Sequence, residues 1–169
     1  MEERKIAVIP KVLLAGALGP KEYGILLTSE RTIFVLKSSS KAGIGAVVGG
    51  AIGAAIADAV SKKKDHDYGN CDPAALAAND KNICVPHSSV TGVELKKRMS
   101  GYTIRMDYAD DGGKKKLAGQ LMLPDELRAK RKAEGVKAKV AMEDYAKMTQ
   151  QAFELALPPT VAQNAEWKI

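Results

Sequence analysis

Aromatic residues are scarce in this chain: two Phe, five Tyr and one Trp, 5% of 169 residues. A nucleic-acid platform of stacked rings therefore has little to draw on. Cysteine and histidine are equally sparse, two of each, which excludes a disulfide-rich scaffold and leaves material for one metal site at most. The longest uncharged apolar stretch, residues 42–57, falls short of the roughly 20 residues a single transmembrane helix needs. What is present is a hydrophobic share of 46%, ordinary for a folded domain. There is also a mild cationic excess, 26 Lys plus Arg against 20 Asp plus Glu, a net charge of +6. That excess suits an anionic surface or plain solubility and does not by itself indicate nucleic acid. The length suits one domain, read as residues 1–157 with an insertion at 39–82 and a C-terminal tail at 158–169.

Near the start, Arg4 and Lys5 precede an apolar stretch, but Glu2 and Glu3 offset their charge and Pro10-Lys11 interrupt it. The reading is a first strand over 6–9 rather than a secretory signal. Two β-rich runs, 23–28 and 31–37, flank Ser29-Glu30 and predict a tight hairpin. A second hairpin is predicted where Tyr102, Ile104, Met106 and Tyr108 alternate with polar residues before Asp110-Asp111-Gly112-Gly113. With strands near 83–85 and 90–97, the count is six or seven. From 124 the period becomes helical, with Ala141, Tyr145, Met148, Ala152 and Leu155 forming a stripe, Gly135 weakening the first half and Pro158-Pro159 closing it. The pattern is that of an α+β protein, a small antiparallel β barrel or sandwich capped by its C-terminal helix, with a Gly/Ala-rich helical insertion.

The stretch Leu26-Leu27-Thr28-Ser29-Glu30-Arg31-Thr32-Ile33-Phe34-Val35 resembles a hairpin of prokaryotic pleckstrin-homology-like (PH-like) and GRAM-like domains. In that hairpin Leu-Thr, two residues, Arg and then an apolar residue with Phe recur. Val85-Pro86-His87-Ser88-Ser89-Val90-Thr91-Gly92-Val93 resembles the same group's Ile-Pro, Ile, Val strand. With the closing helix, the resemblance spans 5–38 and 82–157. It implies two orthogonal sheets capped by a helix, and a non-catalytic role in binding membrane lipids or protein partners. The chain departs from the pattern by inserting residues 39–82 and by lacking a tryptophan in the closing helix. Between the first two strands, where phosphoinositide binders of the group hold their ligand, it offers only Lys11 and Lys21. No lipid-binding residue is carried over.

The insertion holds the most distinctive motif. Gly45, Gly49 and Gly53 recur every fourth residue, and on a helix they would line one face and admit a second backbone. The five glycines of 42–57 cost such a helix roughly 5 kcal/mol relative to alanine, so it must pack against something. A single membrane crossing would separate strands that share a sheet, which leaves lying on a membrane, packing on its own domain, or pairing with another copy. Lys41, Lys62, Lys63 and Lys64 bracket the segment and favour an anionic surface by about 1 kcal/mol each. A dinucleotide loop at Gly43, Gly45 and Gly49 lacks the following strand and acidic residue that such a loop requires.

His66, Cys71, Cys84 and His87 fall within one short stretch and form a weak zinc pattern, since the spacing His66-x4-Cys71 matches no common knuckle. The favoured reading is no metal and no cofactor, with Cys84 buried in a strand, Cys71 ahead of a short helix opened by Asp72-Pro73, and both histidines on the surface. The clusters Lys96-Lys97-Arg98 and Lys114-Lys115-Lys116 read as solvated strand ends, and 128–132 as a solvated helix face, against nucleic acid. Ser88 and Ser89 beside His87 have no catalytic partner in sequence, so no enzyme is expected. The function expected is a cytoplasmic PH-like binding module. It would associate peripherally with anionic membrane through the glycine-rich helix and adjacent lysines; the alternative is a protein-interaction or self-assembly module in which that helix pairs with a second copy.

Overall fold

A computed structural model of the chain describes residues 2–16, 19–37 and 71–169. In chain order the elements are β1 (Lys5–Leu14), β2 (Lys21–Thr28), β3 (Arg31–Leu36), α1 (Pro73–Ala78), β4 (Ile83–Pro86), β5 (Val90–Arg98), β6 (Gly101–Asp110) and β7 (Gly113–Leu121). They are followed by α2 (Asp125–Ala133), α3 (Ala138–Ala156), α4 (Pro159–Gln163) and β8 (Glu166–Lys168), and a single 3-10 turn, His87–Ser89, joins β4 to β5. The eight strands form one sheet in the order β4-β3-β2-β1-β7-β6-β5-β8, one more strand than the sequence suggests. All neighbours are antiparallel except β5 and β8. The protein is thus a mixed α+β protein.

Both predicted hairpins are present. Leu27 pairs with Thr32 across Ser29-Glu30, and Asp110 pairs with Gly113 across Asp111-Gly112. β1 runs further than expected because Pro10, which has no N–H to give a ladder, falls where the β1–β2 register shifts between Ile9 and Val12. The two parts of the sheet meet where β1 pairs with β7. There Gly119 is needed for close approach, since a Cβ would lie 2.6 Å from the Leu13 carbonyl oxygen.

Burial explains the composition of the strands. On β5 and β6 one face is inward, with Val93, Leu95, Tyr102, Ile104 and Met106 buried, while Thr103, Arg105 and Asp107 alternate on the other. β1 to β3 are covered on both faces and read as nearly continuous apolar runs. Ile9, Ile25, Leu27 and Phe34 join the main core, and Val8, Leu26, Ile33 and Val35 form a second cluster against which Leu76 of α1 packs.

α3 closes the main core through Tyr145, Ala146, Thr149, Ala152, Phe153 and Ala156. This corrects the expected stripe: Tyr145 and Ala152 are buried, Ala141 and Met148 half-buried, and Leu155 is 63% exposed. A spacing of four and three has a heptad period, which drifts about 20° per heptad on a straight helix, so by Leu155 it has rotated about 40° toward solvent. The helical pattern also breaks at Gly135, whose φ of +68° suits a residue without Cβ and separates α2 from α3. Residues 158–169 are folded, as α4 and β8, and Trp167 packs half-buried against the main core.

Candidate functional site

The residues that the sequence singles out divide sharply. Gly45, Gly49, Gly53, Lys41, Lys62, Lys63, Lys64 and His66 all lie outside the described residues. Their flanks are described. Leu36, the last residue of β3, pairs with Tyr23, and Cys71 precedes α1, where the Asp72 carboxylate accepts from the Ala74 N–H at 3.0 Å and Pro73 occupies the first turn, as the sequence predicts.

Tyr23 is also a wall of a cleft of about 190 Å³ at the β1–β2 turn, which Leu14, Lys21, Ile83 and Lys116 line with it. The register brings these together: Leu14 pairs with both Lys21 and Gly119, and Ile83 pairs with Phe34. Lys21 and Lys116, both exposed, are the cations of the cleft. Nothing in the sequence announces this proximity, because the two lysines come from β2 and β7, which are far apart in the chain and flank β1 in the sheet. The other basic runs are partly neutralised. Lys115 is paired with Asp110. Lys97 sits 3.7 Å from Glu143 and 5.7 Å above the Tyr102 ring, and Arg105 lies between Glu94 and Asp107.

Of the His/Cys set, Cys71 and Cys84 are half-buried, both packed against the second apolar cluster. His87 departs from expectation: it is 3% exposed rather than on the surface. It is enclosed because the chain must turn from β4 into β5 there, with its N–H donating to the Glu30 carbonyl at 2.8 Å. Its Nε2 is 3.2 Å from the Thr32 hydroxyl, and Nδ1 is buried without a partner. Burial holds the His87 pKa below the usual imidazole value, against the opposing influence of the Ser29 backbone and the Glu3 carboxylate.

Around it the β2–β3 turn is fixed by a polar network. The fully buried Thr28 hydroxyl donates to Glu3 and accepts from the Glu30 and Arg31 N–H groups at 3.2 and 3.0 Å, and Arg31 closes the set with a 2.9 Å ion pair to Glu3. Every member but the His87 Nδ1 finds a partner within the turn, which is the signature of a structural brace. Among the described residues no three His, Cys, Asp or Glu side chains gather as metal ligands. No helix among them is long and apolar enough to cross a membrane.

The fold is therefore that of an α+β protein with an antiparallel sheet closed by a long C-terminal helix, carrying a cationic cleft beside the root of its insertion. No family model matches the chain, and no curated protein matches it. Among solved structures it is similar to the hSac2 domain from human phosphoinositide phosphatase Sac2, at 7% identity and a TM-score of 0.48 over 98% of this chain and 76% of that one.

Proposed function

We propose that the chain is a non-catalytic PH-like binding module of the cytoplasm that associates peripherally with anionic membrane through its insertion. The order of the antiparallel strands and the closing helix α3 support the PH-like reading, alongside the hairpin and strand motifs that resemble that group. The observation that carries the membrane reading is the root of the insertion. The chain leaves β3 one residue after Leu36, whose partner Tyr23 walls the cleft holding Lys21 and Lys116. Lys41 is four residues beyond Lys37 in the sequence.

The lysines at 41 and 62–64 together with Lys21 and Lys116 would contribute about 6 kcal/mol at an anionic leaflet, an affinity between millimolar and micromolar. Ile44, Val47, Val48, Ile52 and Ile56 would add apolar burial on the same surface. Flotation of the full chain with phosphatidylserine vesicles tests this. Binding should fall when Lys62, Lys63 and Lys64 are replaced by Glu, and fall again with Lys21→Glu and Lys116→Glu, while the mass in solution stays monomeric. Absence of vesicle binding, together with an oligomer that Gly49→Leu converts to monomer in light scattering, would replace this reading with self-assembly through the glycine face.

A further inference from the structure

α2 is lightly seated: none of its residues is fully buried, and Glu126, Leu127 and Arg131 are half-buried. It is tied to the rest by Leu127, which packs against the main core, and by Asp125, 3.7 Å from Lys11 of β1, while Arg131 Nη1 donates to the Val136 carbonyl of the following loop at 3.1 Å. A helix that buries so little leaves space beneath it. On one side of Arg131 that space is a cleft of about 200 Å³ whose lining includes Glu134 and Asp144. On the other side is a cleft of about 230 Å³, floored by Leu121, Met122, Leu123 and Met142, with Arg128 and Arg131 as its charged walls and no carboxylate in its lining.

The two arginines have little to neutralise them. Arg128 is 3.7 Å from Asp125, which Lys11 also approaches at 3.7 Å. Arg131 has no acidic partner among the described residues, and its Nε is shielded from solvent with no acceptor in reach. Two guanidinium groups lining an apolar cleft that holds no carboxylate favour a carboxylate or phosphate oxygen there, which their planar sets of donors meet well. We propose that this second cleft binds a small amphipathic anion, with a carboxylate or phosphate head at Arg131 and Arg128 and a short apolar chain against Met122 and Met142. The volume lies below that of drug-sized pockets, which restricts the chain to a short one.

Titration of the full chain by calorimetry and amide chemical shifts, with octanoate and octyl phosphate as probes and octanol and acetate as controls, tests this. One site should saturate with octanoate, octyl phosphate or both, with shifts clustered at Met122, Arg131 and Met142, and with octanol and acetate at least about tenfold weaker. A tenfold preference between the two anions would identify the head as carboxylate or phosphate. Arg131→Gln should weaken binding about tenfold. Because it also removes the bond to Val136, Met142→Trp, which fills the cleft and keeps both arginines, should abolish binding in a chain that circular dichroism shows folded. No saturable binding of either anion, octanol binding as tightly as octanoate, or affinity unchanged in both variants would overturn the proposal.

Discussion

Phe153 is the ring that joins α3 to the sheet, with no exposed surface. Its truncation to Ala should cost about 3 to 5 kcal/mol in urea unfolding, and a loss near zero would mean that the helix does not close the core. Tyr145, on the same helix, is anchored at its polar end, its hydroxyl 3.3 Å from the Lys11 backbone nitrogen, and burial raises its pKa. His87 gives the opposite kind of prediction. Because its folded pKa is lowered by burial, the unfolded chain binds the proton more readily. Stability is full above the ordinary imidazole value near 6.5 and declines as pH falls through and below it. Thermal midpoints should therefore hold steady from about pH 8 to 7 and drop toward pH 5, with a flatter profile in His87→Gln. An unchanged midpoint down to pH 5 in the native chain would contradict the buried neutral imidazole. The sequence shows Tyr145 through the period of its stripe, on which Phe153 does not lie, and it does not show the enclosure of His87, which depends on how the β4–β5 turn folds back onto Thr32.

The hairpins were legible because alternation and a two-residue polar turn are local signals, and both act within one stretch of chain. β8 was not legible: three residues, Glu166, Trp167 and Lys168, become a strand only because the β5 edge is there to receive them, with Leu95 opposite Trp167. The tail thereby covers an edge that would otherwise be open. This predicts that Trp167 emits as a shielded indole in native buffer and that its emission and the far-ultraviolet dichroism are lost together in denaturant. Emission like that of indole in water before any denaturant is added would show the tail undocked. The displaced stripe of α3 has a comparable lesson, since the buried face follows the straight helix through Thr149, Phe153 and Ala156, whereas Leu155 at the end of the heptad spacing turns away.

Over the whole molecule, the sheet, the two-sided burial of β1 to β3 and the closing helix account for the scaffold, and the charge distribution points to what it presents. The cationic cleft was invisible in sequence because Lys21 and Lys116 meet only through the β1–β7 pairing. By contrast, the motifs most visible in sequence, the glycine repeat and its lysines, belong to residues 41–64, outside those described. Under the proposed function, the cleft and the lysines of the insertion serve one ligand, anionic lipid. The most direct test is the partition of the unaltered chain onto vesicles of graded phosphatidylserine content at several salt concentrations. The account predicts partition that rises with anionic lipid and falls steeply as salt shortens the screening length from about 10 Å at 0.1 M toward 3 Å at 1 M. Equal partition on zwitterionic and anionic vesicles, or none on either at low salt, would contradict it.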